Sequence, residues 1–224
     1  MYEFILASRS PRRQKLFSLI QKPFFIRPAD VDERRRAGES PEDYVVRLAQ
    51  TKSEEVGERV ADIAARDVVV FAADTTVVDE GEILGKPTHP DQARDILSRL
   101  RGKAHWVFSG LAIHTPSDGL TMTTLVKTKV EMRNYSEEEI GAYIASGGPF
   151  DKAGAYAIQN EEFHPVKSWQ GCYANVMGLP LCHLEKLFAQ LGIPLSGQLP
   201  IACQEKFNYE CQIPLKLEAA EYSG

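Results

Sequence analysis

No apolar run in this 224-residue chain approaches the roughly 18 residues that cross a membrane. Residues 1–9 contain Glu3 and only four consecutive apolar residues, too few for a secretory leader. A cytoplasmic protein that meets no membrane is the expectation. Cysteine is scarce: Cys172, Cys182, Cys203 and Cys211 stand 10, 21 and 8 residues apart, and the absence of a CxxC pair excludes the common zinc and redox motifs. They read as free thiols in a reducing compartment, with a metal or disulfide cluster as the lesser alternative. His89, His105, His114, His164 and His183 show no HExxH spacing and read as structural, and no GxSxG elbow supports a serine hydrolase. Basic residues do not exceed acidic ones, 26 against 31, for a net charge of -5. That argues against a protein that coats nucleic acid, yet a small anionic ligand needs only a few local cations.

What is present is ordinary for a globular domain: 43% hydrophobic and 25% charged residues, with no repeat or low-complexity linker. Ser10-Pro11 caps a helix whose apolar positions are Leu16, Leu19 and Ile20. Residues 24–26 form a short apolar run, and 30–38 a highly charged loop. Ser40-Pro41-Glu42-Asp43 starts a second helix with Val45, Leu48 and Ala49 as its stripe and Lys52 one turn on. Residues 68–73 are continuously apolar and β-branched, a buried strand expected to end at Asp74-Thr75-Thr76. A hairpin around Glu80-Gly81, a helix from 90 to 100 stopped by Gly102, and two long strands at 106–114 and 122–132 follow. Ser136-Glu137-Glu138-Glu139 reads as a capping box, 151–159 as loop and short strand, and 179–191 as the last helix. The expected fold is α/β, a mixed twisted sheet flanked by helices with two lobes around a cleft. Residues 1–194 form its domain, and 195–224 an extension on the surface.

Three places carry chemistry. Ser8-Arg9-Ser10-Pro11-Arg12-Arg13 puts hydroxyls, free backbone N–H groups and guanidiniums at a helix start, where phosphate oxygens are well received. A capped surface helix with solvated arginines also accounts for it, although cations there oppose the helix dipole unless an anion is present. Asp74, at a strand end, suits metal binding or proton removal from water, or simply caps its own turn. Gly81-Glu82-Ile83-Leu84-Gly85-Lys86-Pro87 looks like a P-loop but has one residue too few between its glycines and a proline where magnesium needs Ser or Thr. Lys86 reads either as a phosphate contact or as a solvated turn lysine.

In order, these pieces resemble the Maf family of nucleoside triphosphate pyrophosphatases. The resemblance runs over 5–191 and rests on residues 5–13, Asp32-Glu33, Ala73-Asp74-Thr75, Leu84-Gly85-Lys86-Pro87, 151–156 with Ile158-Gln159, and 175–181. It implies cleavage of a nucleoside triphosphate between its α and β phosphates with Mg²⁺ or Mn²⁺. By the same resemblance Asp74 activates water and Glu33 joins it on the metal side, while Ser8, Arg12, Arg13, Lys52 and Lys86 grip phosphate. Arg12, Thr75 and Gln159 look like the branch acting on dTTP and UTP. Asn160-Glu161-Glu162 departs from the glycine-rich turn usual after Ile-Gln. A non-catalytic nucleotide-binding regulator of septum formation and an enzyme on another phosphorylated substrate, such as a nucleotide sugar, are the competing readings. A homodimer is the expectation for a compact cytosolic enzyme.

Overall fold

The computed structural model describes residues 2–61, 67–193, 195, 198–209, 211 and 213. The chain opens with β1 (Glu3–Leu6) and α1 (Pro11–Phe17), whose cap is Ser10 accepting from the Arg13 amide. β2 (Phe24–Ile26) and a long loop lead to α2 (Pro41–Val60), capped by Ser40. β3 (Val68–Asp79) and β4 (Glu82–Leu84) form the expected hairpin, with Glu80 and Gly81 both at positive φ. α3 (Pro90–Leu100), β5 (Ala104–Thr115), β6 (Leu120–Met132) and α4 (Glu137–Ala145) follow, α4 with the complete Ser136–Glu139 capping box. β7 (Val166–Gln170), α5 (Tyr173–Val176), α6 (Leu181–Gln190) and α7 (Leu199–Phe207) complete the described chain.

The sheet is mixed, in the order β2-β1-β3-β5-β6-β7, with β4 beside β3. β1 pairs in parallel with β2 and β3, and the remaining pairs are antiparallel. Strand alternation divides β3 between two cores. Val69, Phe71 and Ala73 face a core with Leu16 and Phe17 of α1 and Leu184 and Phe188 of α6. Val68, Val70 and Ala72 face Val56 and Val60 of α2. Along α2 the buried set is Val45, Leu48, Ala49, Lys52, Ser53, Val56, Gly57 and Val60, spaced as the inward stripe of one helix. Lys52 is therefore aimed at the sheet by the same periodicity that buries the valines.

Three expectations are corrected. β3 does not end at Asp74 but continues for five more residues to Asp79, because Thr75 to Val78 are an unbroken β-branched run and pair with β5. Residues 156–159 form no strand: the segment makes a 3-10 turn at Ala153–Ala155 and runs on as turns, while the unforeseen β7 takes the edge beside β6. Of the expected surface extension, α7 buries Leu199 and Cys203 in the α1–α6 core; Pro194 and residues 214–224 lie outside the described residues. No described helix is long and apolar enough to cross a membrane.

Past Leu6 and Ala7, β1 leaves β3, and β4 does not begin pairing with β3 until Val77. The stretch 72–76 of β3 thus has a strand on its β5 side and an open edge on the other. Gly110, the register partner of Asp74 on β5, lets α2 lie close over this stretch. A Cβ there would stand 2.2 Å from the Val45 carbonyl oxygen and 2.7 Å from the Val46 Cα. Backbone cannot yield as a flexible side chain does, so Gly110→Ala should cost about 1 to 3 kcal/mol through overpacking. A chain of this size then melts roughly 3 to 10 °C lower. An unchanged Tm in a calorimetric scan would show that α2 does not need this close approach.

Candidate active site

A cavity of about 640 Å³ opens at the free edge of β3. Every residue singled out in the sequence lines it: Ser8, Arg12, Arg13, Glu33, Lys52, Asp74, Thr75, Lys86 and Gln159. No described histidine or cysteine does, and all four cysteines are unpaired, three of them buried.

Strand alternation sends consecutive residues of β3 to different partners. Asp74, in phase with Val70 and Ala72, meets α2, where its Oδ1 accepts from Lys52 Nζ at 2.7 Å. Lys52 and Asp74 are each only 8% exposed. The same ammonium lies 2.6 Å from Glu33 Oε1, so one lysine bridges a strand carboxylate and a loop carboxylate. Burial alone would push the Glu33 carboxyl up. The hydrogen bond and charge of Lys52, with Lys86 and Arg13 behind them, hold it below the ordinary value instead. Tyr44, two helical turns before Lys52, donates its hydroxyl to the Glu33 carbonyl at 3.0 Å. Burial and the neighbouring Asp74 and Glu33 raise its phenol to about 12, which keeps the donor proton in place. Arg47 secures the same loop through Glu39 and the Arg34 carbonyl.

Thr75 points the other way, toward α1. Its hydroxyl accepts from Arg13 Nη2 at 3.1 Å and pairs with Ser109 Oγ at 2.8 Å, while Arg13 Nε donates to the Gly178 carbonyl at 2.9 Å. Gly178 has φ +106, and a Cβ there would press to 3.4 Å from Arg13 Nε. Asn175, fully buried, anchors this turn by donating to the Val107 and Val126 carbonyls and to Thr128 Oγ1. Burial lowers the pKa of Arg13. Among the described residues only two of its N–H groups find acceptors, both neutral, so a desolvated guanidinium with donors left over lines the cavity.

Arg12 leaves the helix on the exposed side, where Nη1 meets Asp151 Oδ2 at 2.8 Å and Nη2 the Asp151 carbonyl at 3.2 Å. The arginine that opposes the helix dipole thus has its anion from residue 151. Lys152 donates to Gly148 O at 2.6 Å and pairs with the Asp151 carboxylate. After Gln159, Asn160 closes the turn itself: its Oδ1 accepts from the Phe163 amide at 2.7 Å and its carbonyl from the His164 amide at 3.0 Å.

The family model described as Maf-like protein matches residues 3–191. A dTTP/UTP pyrophosphatase from Geotalea uraniireducens is 44% identical over 188 residues, covering 84% of this chain and 94% of its own length. One from Dictyoglomus thermophilum is 43% identical over 194 residues, 86% of this chain and 98% of its own. The chain belongs to the Maf-like family.

This Maf-like site contains participants that the sequence reading missed. Tyr44 stands eight residues before Lys52 on the same helical face, a signal that was available. Asp151 and Lys152 lie in a recognised motif, but their link to Arg12 spans 139 residues and has no local signature. Ser109 depends on the cross-strand register Thr75↔Ser109.

A divalent cation suits the donor set. Glu33 and Asp74 already share one cation, the Lys52 ammonium, and magnesium is commonly held by one or two carboxylates together with substrate phosphates. Among the described residues no group of three or more His, Cys, Asp or Glu gathers for metal, so phosphate oxygens would complete the shell.

The bridge makes a pH prediction. Because the Glu33 pKa is lowered on folding, its contribution to stability is present above its ordinary value of 4.5 and is lost as pH falls through the lower folded value. Lys52→Met removes the main lowering cause and leaves the burial. The Glu33 midpoint in a carboxyl-carbon NMR titration should therefore rise, and its share of the acid-side stability slope should flatten. An unmoved midpoint would mean that Lys52 does not govern this carboxyl.

Proposed function

We propose that this chain hydrolyses dTTP and UTP between the α and β phosphates, releasing the nucleoside monophosphate and pyrophosphate. The supporting observation is the buried Lys52 bridge between Asp74 and Glu33, set in one cavity with Arg12, Arg13 and Lys86. The family relatives named dTTP/UTP pyrophosphatase supply the substrate class. A pure binder of nucleotides has no use for a buried carboxylate beside the phosphate grip.

Asp74 takes a proton from the attacking water, and Lys52 orients it through Oδ1. The new P–O bond forms at the α phosphorus as the bond to the α–β bridging oxygen breaks, and pyrophosphate leaves with those electrons. Arg13, its fork set by Thr75 and the Gly178 carbonyl, meets the charge that develops on the phosphate oxygens, with Ser8, Arg12 and Lys86 holding the rest of the chain. Glu33 and Asp74 would hold Mg²⁺ or Mn²⁺, which when bound would neutralise phosphate charge and make phosphorus easier to attack. Gln159, which also lines the cavity, offers both a donor and an acceptor to the uracil or thymine edge. The working unit is 1–194, in the cytoplasm.

Release of pyrophosphate from a nucleotide panel tests the reading. UTP and dTTP should lead the purine triphosphates in kcat/KM, chelation should abolish turnover, and added Mg²⁺ or Mn²⁺ should restore it. Asp74→Asn, nearly isosteric, should lower kcat by about 10² to 10⁴, the usual worth of a positioned acid or base. Gln159→Ala should narrow the pyrimidine preference more than it lowers the best rate, since a lost hydrogen bond to the base is worth about 1 to 3 kcal/mol. Preference for GTP would overturn the base assignment, and turnover retained in Asp74→Asn would move the base to another residue.

A further inference from the structure

Six cationic side chains line the cavity, Arg9, Arg12, Arg13, Lys52, Lys86 and Lys152, and they are not equally available. Lys52 is held between Glu33 and Asp74. Arg12 and Lys152 are both held by Asp151, whose carboxylate and carbonyl receive Arg12 and whose carboxylate also receives Lys152. Among the described residues, Arg9, Arg13 and Lys86 enter no ion pair. Asp151 stands at the mouth, its side chain 61% exposed, and no part of the reading above uses it.

We propose that Asp151 masks Arg12 and Lys152 and so restrains the binding of longer phosphate chains: it occupies the two cations until an anion of two or more linked phosphates displaces it. A single phosphate is small enough to be satisfied by Arg13 and Lys86 without disturbing Asp151. A longer chain seated on those two cations extends toward Arg12 and Lys152. There a terminal phosphate, with roughly -1.5 to -2 charge and three acceptor oxygens, outcompetes one carboxylate for the guanidinium fork. The exchange breaks both Asp151 pairs to make stronger ones, so long chains bind less tightly than they would to unmasked cations, while short ones are untouched. After cleavage the monophosphate no longer spans the gap, Asp151 recovers its two cations, and product leaves. That bearing on turnover rests on the pyrophosphatase reading, whereas the masking itself does not.

Calorimetric titration of the full chain with inorganic orthophosphate, pyrophosphate and tripolyphosphate at fixed ionic strength tests it. Asp151→Asn and Asp151→Ser should each tighten pyrophosphate and tripolyphosphate by about 3- to 10-fold, the range two partly exposed ion pairs allow. Orthophosphate should change by less than about 2-fold. In an Arg12→Ala/Lys152→Ala background the gain should vanish, since the cations that Asp151 masks are gone. Equal tightening of all three anions, weakening of the longer ones, or a gain that persists in the double variant would overturn the proposal. None of these titrations turns over a nucleotide. A wild-type chain that releases no pyrophosphate from UTP would therefore refute the function proposed above and leave this result standing.

Discussion

The contact between Lys52 on α2 and Asp74 on β3, 2.7 Å long and almost closed to solvent, is the constraint to which the rest of the site is referred. A buried ion pair is a poor source of stability, because removing two charges from water costs about as much as their attraction returns. Losing either partner, however, strands an uncompensated charge. Such a pair is tolerated where the charge itself is needed, and here the fold is arranged to deliver it. The stripe of α2 aims Lys52 inward, Gly110 lets the helix lie close enough, and the open edge of β3 leaves the carboxylate facing a cavity instead of a neighbouring strand. Glu33 then closes on the same ammonium and brings the charged loop with it.

One strand serves two functions because its period is two. Asp74 is turned toward α2 and the acidic loop. Thr75 is turned toward Arg13, Ser109 and the turn anchored by Asn175. The carboxylate suited to proton transfer and the hydroxyl that orients Arg13 are thus adjacent in sequence and separated by a rigid backbone. Neither rests on a mobile loop alone, which is what a site needs when misplacement by about 1 Å is costly.

Elements with local signals were legible in the sequence. Ser10-Pro11 and Ser40-Pro41 announce helix starts, Glu80-Gly81 a tight hairpin, and Ser136 with Glu139 a capping box; each appears where its chemistry places it. Elements defined by their partners were not. β7 is a half-exposed edge strand without strict alternation, and it exists because β6 offers a free edge. α7 carries a weak pattern around Pro200 and is fixed by Leu199 and Cys203 finding the α1–α6 core. Asp74 reads as a strand end because acidic residues disfavour strands, yet β5 pairs straight past it. The same distinction holds in the site: the motifs supply residues that share the cavity, whereas Tyr44, Ser109, Asp151 and Lys152 gain their meaning from what stands opposite them.

The charge pattern has a further physical consequence. The chain carries a net charge of -5, while its cavity gathers six cations against the four carboxylates Asp30, Glu33, Asp74 and Asp151. A concave site of that sign draws in an anion that the remaining surface repels. Bringing bare cations together would burden folding with their mutual repulsion, and internal carboxylates relieve much of it before any ligand arrives. On the binding mode proposed above, phosphate oxygens replace carboxylate oxygens around side chains already in position, so that binding is largely an exchange of partners. Exchange yields less net affinity than filling an empty cationic pocket. It also leaves the carboxylates ready to reclaim their cations when the phosphate chain is cut, which favours turnover over retention of product.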